Sequence, residues 1–226
     1  VLGGGQVWAA TTHYNDSSLT GGKAAWEKWC SDWENVANDY TKVSLTPGAA
    51  ATELNFAWYS QGDASAATPM VYFGTDGQNM KVFTGTAGNV DPSLTGGAAY
   101  AYNYVTVTGL RENTTYYYTV VKSGVPAEAE VYRTGSFQDV NILFVGDPQV
   151  GASKGQPQGE GKLAANNGVE NTAARNDGFA WDRTLDIAAA ENPGLNFVIS
   201  AGDQVNRTGK AKEEEYAAYL SPDVLK

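Results

Sequence analysis

The sequence predicts a β-sandwich followed by the opening βαβ unit of an α/β domain, with one helix ahead of both. Three observations carry that fold class. Short segments of period-two apolar alternation run from Lys42 to about Phe137. A near-continuous apolar run at Val140–Val145 is matched by a second at Leu195–Ser200, as expected of parallel strands buried on both faces. An indole stripe at helical spacing precedes residue 40.

The composition agrees. At 226 residues and 42% apolar content the chain can bury a sizeable core in one large or two small domains. Charged residues are only 18%, while Gly (26) and Tyr (13) are plentiful, which suits short strands and turns. With 15 basic and 25 acidic residues the net charge is −10, which excludes the electrostatic footprint of a nucleic-acid or anionic-membrane binder. No apolar run approaches the ~18 residues of a transmembrane segment. A single cysteine, Cys30, excludes an intrachain disulfide and a cysteine zinc site. The single histidine, His13, lies in Thr11–Asn15, which does not look like a Ser-His-Asp triad neighbourhood. No targeting segment is visible from Val1 onward, and the low-charge composition suits an extracellular or cell-envelope protein whose leader has been removed.

Three regions follow: an N-terminal extension over 1–41, a sandwich over 42–138 and an α/β segment over 139–226. In the first, residues 22–38 read as a helix with Trp26, Trp29, Cys30, Trp33 and Ala37 on one face. Such a stripe is ordinarily a buried packing face. The competing reading is an exposed aromatic platform for sugars. In the second, Lys42–Gly48, Glu53–Trp58, Met70–Gly74, Lys81–Thr84, Tyr100–Val107, Tyr116–Val121 and Val131–Thr134 read as strands of an antiparallel sandwich.

The segment Gly109–Tyr118 resembles the corner of fibronectin type III domains. The resemblance implies that the Tyr116 hydroxyl ties down the loop backbone and that Trp58 is the buried core tryptophan, both structural roles.

The third region carries the chemistry. Each apolar strand ends in Gly-Asp: Gly146-Asp147-Pro148-Gln149 after the first, Gly202-Asp203-Gln204-Val205-Asn206 after the second. A helix over Asp177–Glu191 joins them after a Gly- and Asn-rich loop from Gly151 to about Asn176, and Asn192-Pro193-Gly194 stops it. In a parallel pair both carboxylates emerge at the carboxyl edge, where α/β folds bind ligands. Two carboxylates held together repel unless a cation lies between them. Oxygen-rich sites of this kind suit Mg, Mn or Fe, and mixed sites Zn.

These motifs resemble the start of a calcineurin-like metallophosphoesterase. Behind such a sandwich they are similar to the purple acid phosphatases. That resemblance implies two metal ions (Fe, Mn, Zn or Mg), with Asp147 a terminal ligand and Asp203 the bridging carboxylate. It also implies hydrolysis of a phosphate ester by a metal-bound hydroxide. Three departures qualify it. Gln149 stands where many relatives have His, so it either ligates weakly through its amide oxygen or only lines the site. Asn206 stands where purple enzymes have a tyrosinate, which predicts a colourless iron form. The later Gly-Asn-His and Gly-His-x-His motifs are missing, so the chain is expected to be truncated before its third metal motif and inactive alone, within a parent that is a phosphoesterase. Gln149 also leaves open a domain that has lost activity. The alternative from another class is a non-catalytic secreted module binding glycan or protein.

Other motifs carry less. Lys154–Leu163 fails the phosphate-loop pattern, having Gln156 and Leu163 where Gly and Ser or Thr are required. Short glycosylation sequons occur at Asn15, Asn113 and Asn206.

Overall fold

The computed structural model describes residues 22–37, 39, 42–153, 170–206 and 213–225. His13, the sequon at Asn15 and the segment 154–163 lie outside the described residues. In chain order the elements are α1 (Gly22–Ala37), β1 (Ser44–Pro47), β2 (Glu53–Gln61), β3 (Met70–Gly74), β4 (Lys81–Thr84), β5 (Thr86–Asn89), β6 (Tyr100–Thr108), β7 (Thr115–Lys122), β8 (Val125–Pro126), β9 (Glu130–Arg133), β10 (Asn141–Val145), α2 (Glu170–Glu191), β11 (Leu195–Ser200) and α3 (Glu213–Tyr219).

The expected architecture is present: a helix, an antiparallel sandwich and a βαβ unit. One sheet orders β1-β2-β6-β5 and the other β4-β3-β7, with β8 and β9 both pairing β7. All these pairs are antiparallel. Alternation in β2 sends Leu54, Phe56 and Trp58 inward, and in β6 Ala101, Asn103, Val105 and Val107. The inner faces meet in a core of Leu54, Phe56, Trp58, Val71, Phe73, Val105, Val107, Leu110, Tyr116, Tyr118 and Val120. Aromatic edges organise it: Phe56 packs T-shaped on Tyr118 at 5.1 Å, and Phe73 stacks on Tyr116 at 4.7 Å. The Arg111 N–H donates to the Tyr116 hydroxyl at 2.7 Å, and Trp58 is buried. The sequence pattern missed β5 (Thr-Ala-Gly-Asn) because it has no alternation; its partner β6 defines it.

Three expectations for the C-terminal region need correction. β10 and β11 are parallel, but among the described residues only one face is covered: Leu143, Val145 and Val198 pack against the helices. Ile142, Phe144 (71% exposed) and Ile199 lie open on the other face. A continuous apolar run signals a buried strand only where both faces have partners, and among the described residues the sheet has two strands and one covered face. Second, α2 begins at Glu170, not Asp177. Ala173, Ala174 and Asn176 are buried in its first turns, so tertiary packing overrides the weak local propensity of an Asn-rich stretch. Third, α3 was not anticipated. It is a short helix placed by Ala217, Ala218 and Tyr219, which are buried against α1 and α2.

α1 packs with α2 and α3 across the intervening sandwich sequence. Trp26 meets Phe179 edge-on at 5.3 Å, and the Trp29 indole N–H donates to the Arg175 carbonyl at 2.8 Å. Trp33 enters the core of Val150, Trp181, Leu185, Val205 and Tyr219. Trp26 and Trp33 are 8% and 3% exposed, so the stripe is a packing face and not a platform for sugars. Gly178 permits this approach: a Cβ there would lie 2.8 Å from the Ala218 Cβ and 3.1 Å from the Trp29 ring. No helix among the described residues is long and apolar enough to cross a membrane.

Candidate metal centre

β10 and β11 pair in register from Ile142↔Phe197 to Val145↔Ser200, so the turns that follow leave the sheet side by side. Backbone bonds then join the two turns. The Ala201 N–H donates to the Val145 carbonyl at 2.7 Å, and the Gln149 N–H to the Asp203 carbonyl at 2.8 Å. Val150 forms an isolated parallel bridge with Val205, and the Asn206 N–H donates to the Val150 carbonyl at 3.0 Å. Buried Val150 and Val205 anchor this junction in the helix-side core.

Asp147, Gln149, Asp203 and Asn206 are all exposed at this edge. Gln149 and Asp203 meet directly: the Gln149 amide donates from Nε2 to Asp203 Oδ2 at 3.2 Å. Asp147 lies on the adjacent turn, two residues past the last paired residue of β10. Asp147 (φ 53°), Gln149 (φ 40°) and Asp203 (φ 45°) occupy left-handed backbone, which side-chain-bearing residues adopt at a cost of about 1–3 kcal/mol each. Asp147 also precedes Pro148, a position ordinarily confined to extended backbone. The only other non-glycine residues with positive φ among those described are Asn113 and Ser123. Strain therefore concentrates on the turns bearing the candidate ligands.

Two carboxylates at one sheet edge are the donor chemistry of a hard divalent cation. The amide oxygens of Gln149 and Asn206 are additional oxygen donors at the same edge. Among the described residues no group of three or more His, Cys, Asp or Glu side chains is placed to hold a metal ion. Asp147 and Asp203 are two acidic side chains, fewer than such a group requires.

Sequence reasoning missed the support behind the first turn. The Gly151 and Ser153 N–H groups both donate to Asp177 Oδ2, at 2.9 and 3.0 Å. Gly151, with φ +101°, lies against buried Glu215: a Cβ there would come 2.5 Å from Oε1. In the sequence Asp177 reads only as the start of a helix and Glu215 falls in no expected element; the fold brings both to this loop.

Residues 40–138 match the family model of the purple acid phosphatase N-terminal domain. That region is similar to purple acid phosphatase N-terminal domains, and the fold is similar to that of a purple acid phosphatase of known structure. The structure of a purple acid phosphatase from yellow lupin (Lupinus luteus) seeds aligns with a TM-score of 0.57 at 15% identity, over 81% of this chain and 33% of that one. This chain thus spans about a third of the length of the lupin protein. A structure of PhoD aligns at a TM-score of 0.35 and 11% identity, over 80% of this chain and 46% of that one, too distant to carry an argument. No curated protein matches the chain.

Proposed function

We propose that this chain carries the first part of a phosphoesterase metal centre, in a protein that hydrolyses phosphate esters. The observation that supports it best is the joined pair of strained Gly-Asp turns at the carboxyl edge of β10 and β11, behind a region similar to purple acid phosphatase N-terminal domains. In this reading Asp147 and Asp203 would be the carboxylate ligands that hold the metal ions. Gln149 and Asn206 are neutral oxygen donors at the rim. Bound there, the metal ions would neutralise charge on phosphoryl oxygens and acidify water. The chain's own part is to hold the carboxylates fixed before the cation arrives, which the backbone bonds between the turns support.

The test is titration with Mn2+, followed by electron paramagnetic resonance. The wild-type chain is expected to take up the ion, and Asp203→Ala to lose affinity by at least about tenfold. Equal binding by wild type and by both Asp147→Ala and Asp203→Ala would overturn the reading. Burial of Trp26 and Trp33 leaves the glycan-platform alternative without two of its three indoles.

A further inference from the structure

The metal ligands proposed above sit on backbone that does not hold itself. Asp147 and Gln149 lie in left-handed conformations, and the cost must be met by the surroundings. On one side the turn is fastened to the one after β11 through Gln149 and Val150. On the other side, two backbone N–H groups of the same loop converge on one carboxylate oxygen, Asp177 Oδ2, at 2.9 and 3.0 Å. Such charge-assisted bonds are stronger than neutral ones. Asp177 stands on α2, among buried Ala173, Ala174, Phe179 and Trp181, so its own position is fixed by the helical core. Glu215 on α3 packs beneath Gly151 from the same side.

We propose that Asp177 is the positioning residue of the centre: its carboxylate anchors Gly151 and Ser153 and so holds Asp147 and Gln149 where a cation meets Asp203. This rests on the metal-centre reading above. Asp177 acts through loop backbone, as an outer partner that sets ligand geometry.

The experiment compares the wild-type 226-residue chain with Asp177→Ala and the conservative Asp177→Asn. Two readouts are taken: amide hydrogen exchange at Gly151 and Ser153, and Mn2+ affinity by paramagnetic resonance. Asp177→Ala is expected to speed exchange at both amides by about tenfold or more and to weaken Mn2+ by about 10–100-fold. The α2 amides around Leu185 stay protected. Asp177→Asn, which keeps an acceptor oxygen, falls between. Unchanged exchange at the two amides overturns the proposal. So does faster exchange with wild-type Mn2+ affinity, the signature of a purely structural anchor. If Asp177→Ala loses protection throughout α2, Asp177→Asn decides by the same two readings. Wild type that binds no Mn2+ overturns the metal-centre reading and this proposal with it. Wild type that binds, with variants that bind equally, overturns this proposal alone.

Discussion

The two large apolar cores of the chain are assembled on opposite plans. The sandwich core draws every described member, from Val43 to Phe137, from one continuous stretch. The second core draws Trp29, Trp33, Val36 and Ala37 from α1, and the rest from Leu143 onward, with no residue of the sandwich among them. A segment that reads as an N-terminal appendage is a structural layer of the C-terminal unit, reached across the whole sandwich. The comparison teaches that adjacency in sequence defines the first unit but not the second. The candidate centre is built on the second, where the strained turns lie.

The sharpest way to break this comparison is to hollow each core in turn. Phe56→Ala removes a fully buried ring, and Trp33→Ala one that is 3% exposed. Each is expected to cost about 3–5 kcal/mol in its own unit. Hydrogen exchange separates them: Phe56→Ala exposes β2 and β6 amides, Trp33→Ala those of α1, α2 and α3. If Trp33→Ala strips protection from the sandwich equally, the cores form one cooperative unit and the contrast fails.

A smaller effect tests the loop that the second unit supports. Gly151→Ala places a side chain on backbone at φ +101° and against the Glu215 carboxylate. It is expected to cost about 1–3 kcal/mol, read as a lower melting temperature and faster exchange over residues 149–153. An unchanged melt and unchanged exchange would mean that the loop is not clamped by α3.

The same contrast governs what the sequence made legible. In the sandwich, alternation names the inward residues directly: Leu54, Phe56 and Trp58 follow from period two alone. β3 and β4 have the bounds that their apolar runs indicate. In the second unit the apolar runs of β10 and β11 located the strands but misjudged their burial, because coverage depends on what packs from elsewhere. The Gly-Asp turns were legible because a repeated dipeptide at matched strand ends is a local signal. Asp177 and Glu215 were not, because the loop they meet is brought to them only by the packing of α2 and α3. The indole stripe was legible as a face, and its partner was not.

Within the sandwich, Tyr116→Phe isolates one hydrogen bond. The ring and its stacking on Phe73 remain, while the Arg111 N–H loses its acceptor. The expected loss is about 0.5–1.5 kcal/mol, measured by urea unfolding with unchanged slope. A loss comparable to that of Phe56→Ala would mean that the corner bond, and not the ring packing, organises the β6–β7 connection.

The smallest effect sharpens the comparison through acid. Three turn aspartates of the sandwich have carboxyls held below the ordinary 3.8. Asp63 is lowered by the Ser65 hydroxyl and then its N–H, Asp76 by the Gln78 N–H and then Asn79, and Asp91 by the Ser93 N–H and then its hydroxyl. Their contribution is fully present above 3.8 and is lost as pH falls through the lowered values. In the second unit Asp186 is shifted the other way. Burial first, and the neighbouring Asp182 charge next, raise it above 3.8 against the pull of Arg183. Ionised Asp186 therefore weakens the folded state above its raised value; that weakening is relieved as pH falls through it and is gone below 3.8. Acidification should thus first firm α2 and then loosen the sandwich turns. Exchange of α2 amides against those near Asp63 and Asp91, followed down a pH series, reads both. Asp186→Asn should remove the first change and leave the second. If Asp186→Asn retains the firming of α2, that effect belongs to other carboxyls and the contrast between the two units does not extend to their electrostatics.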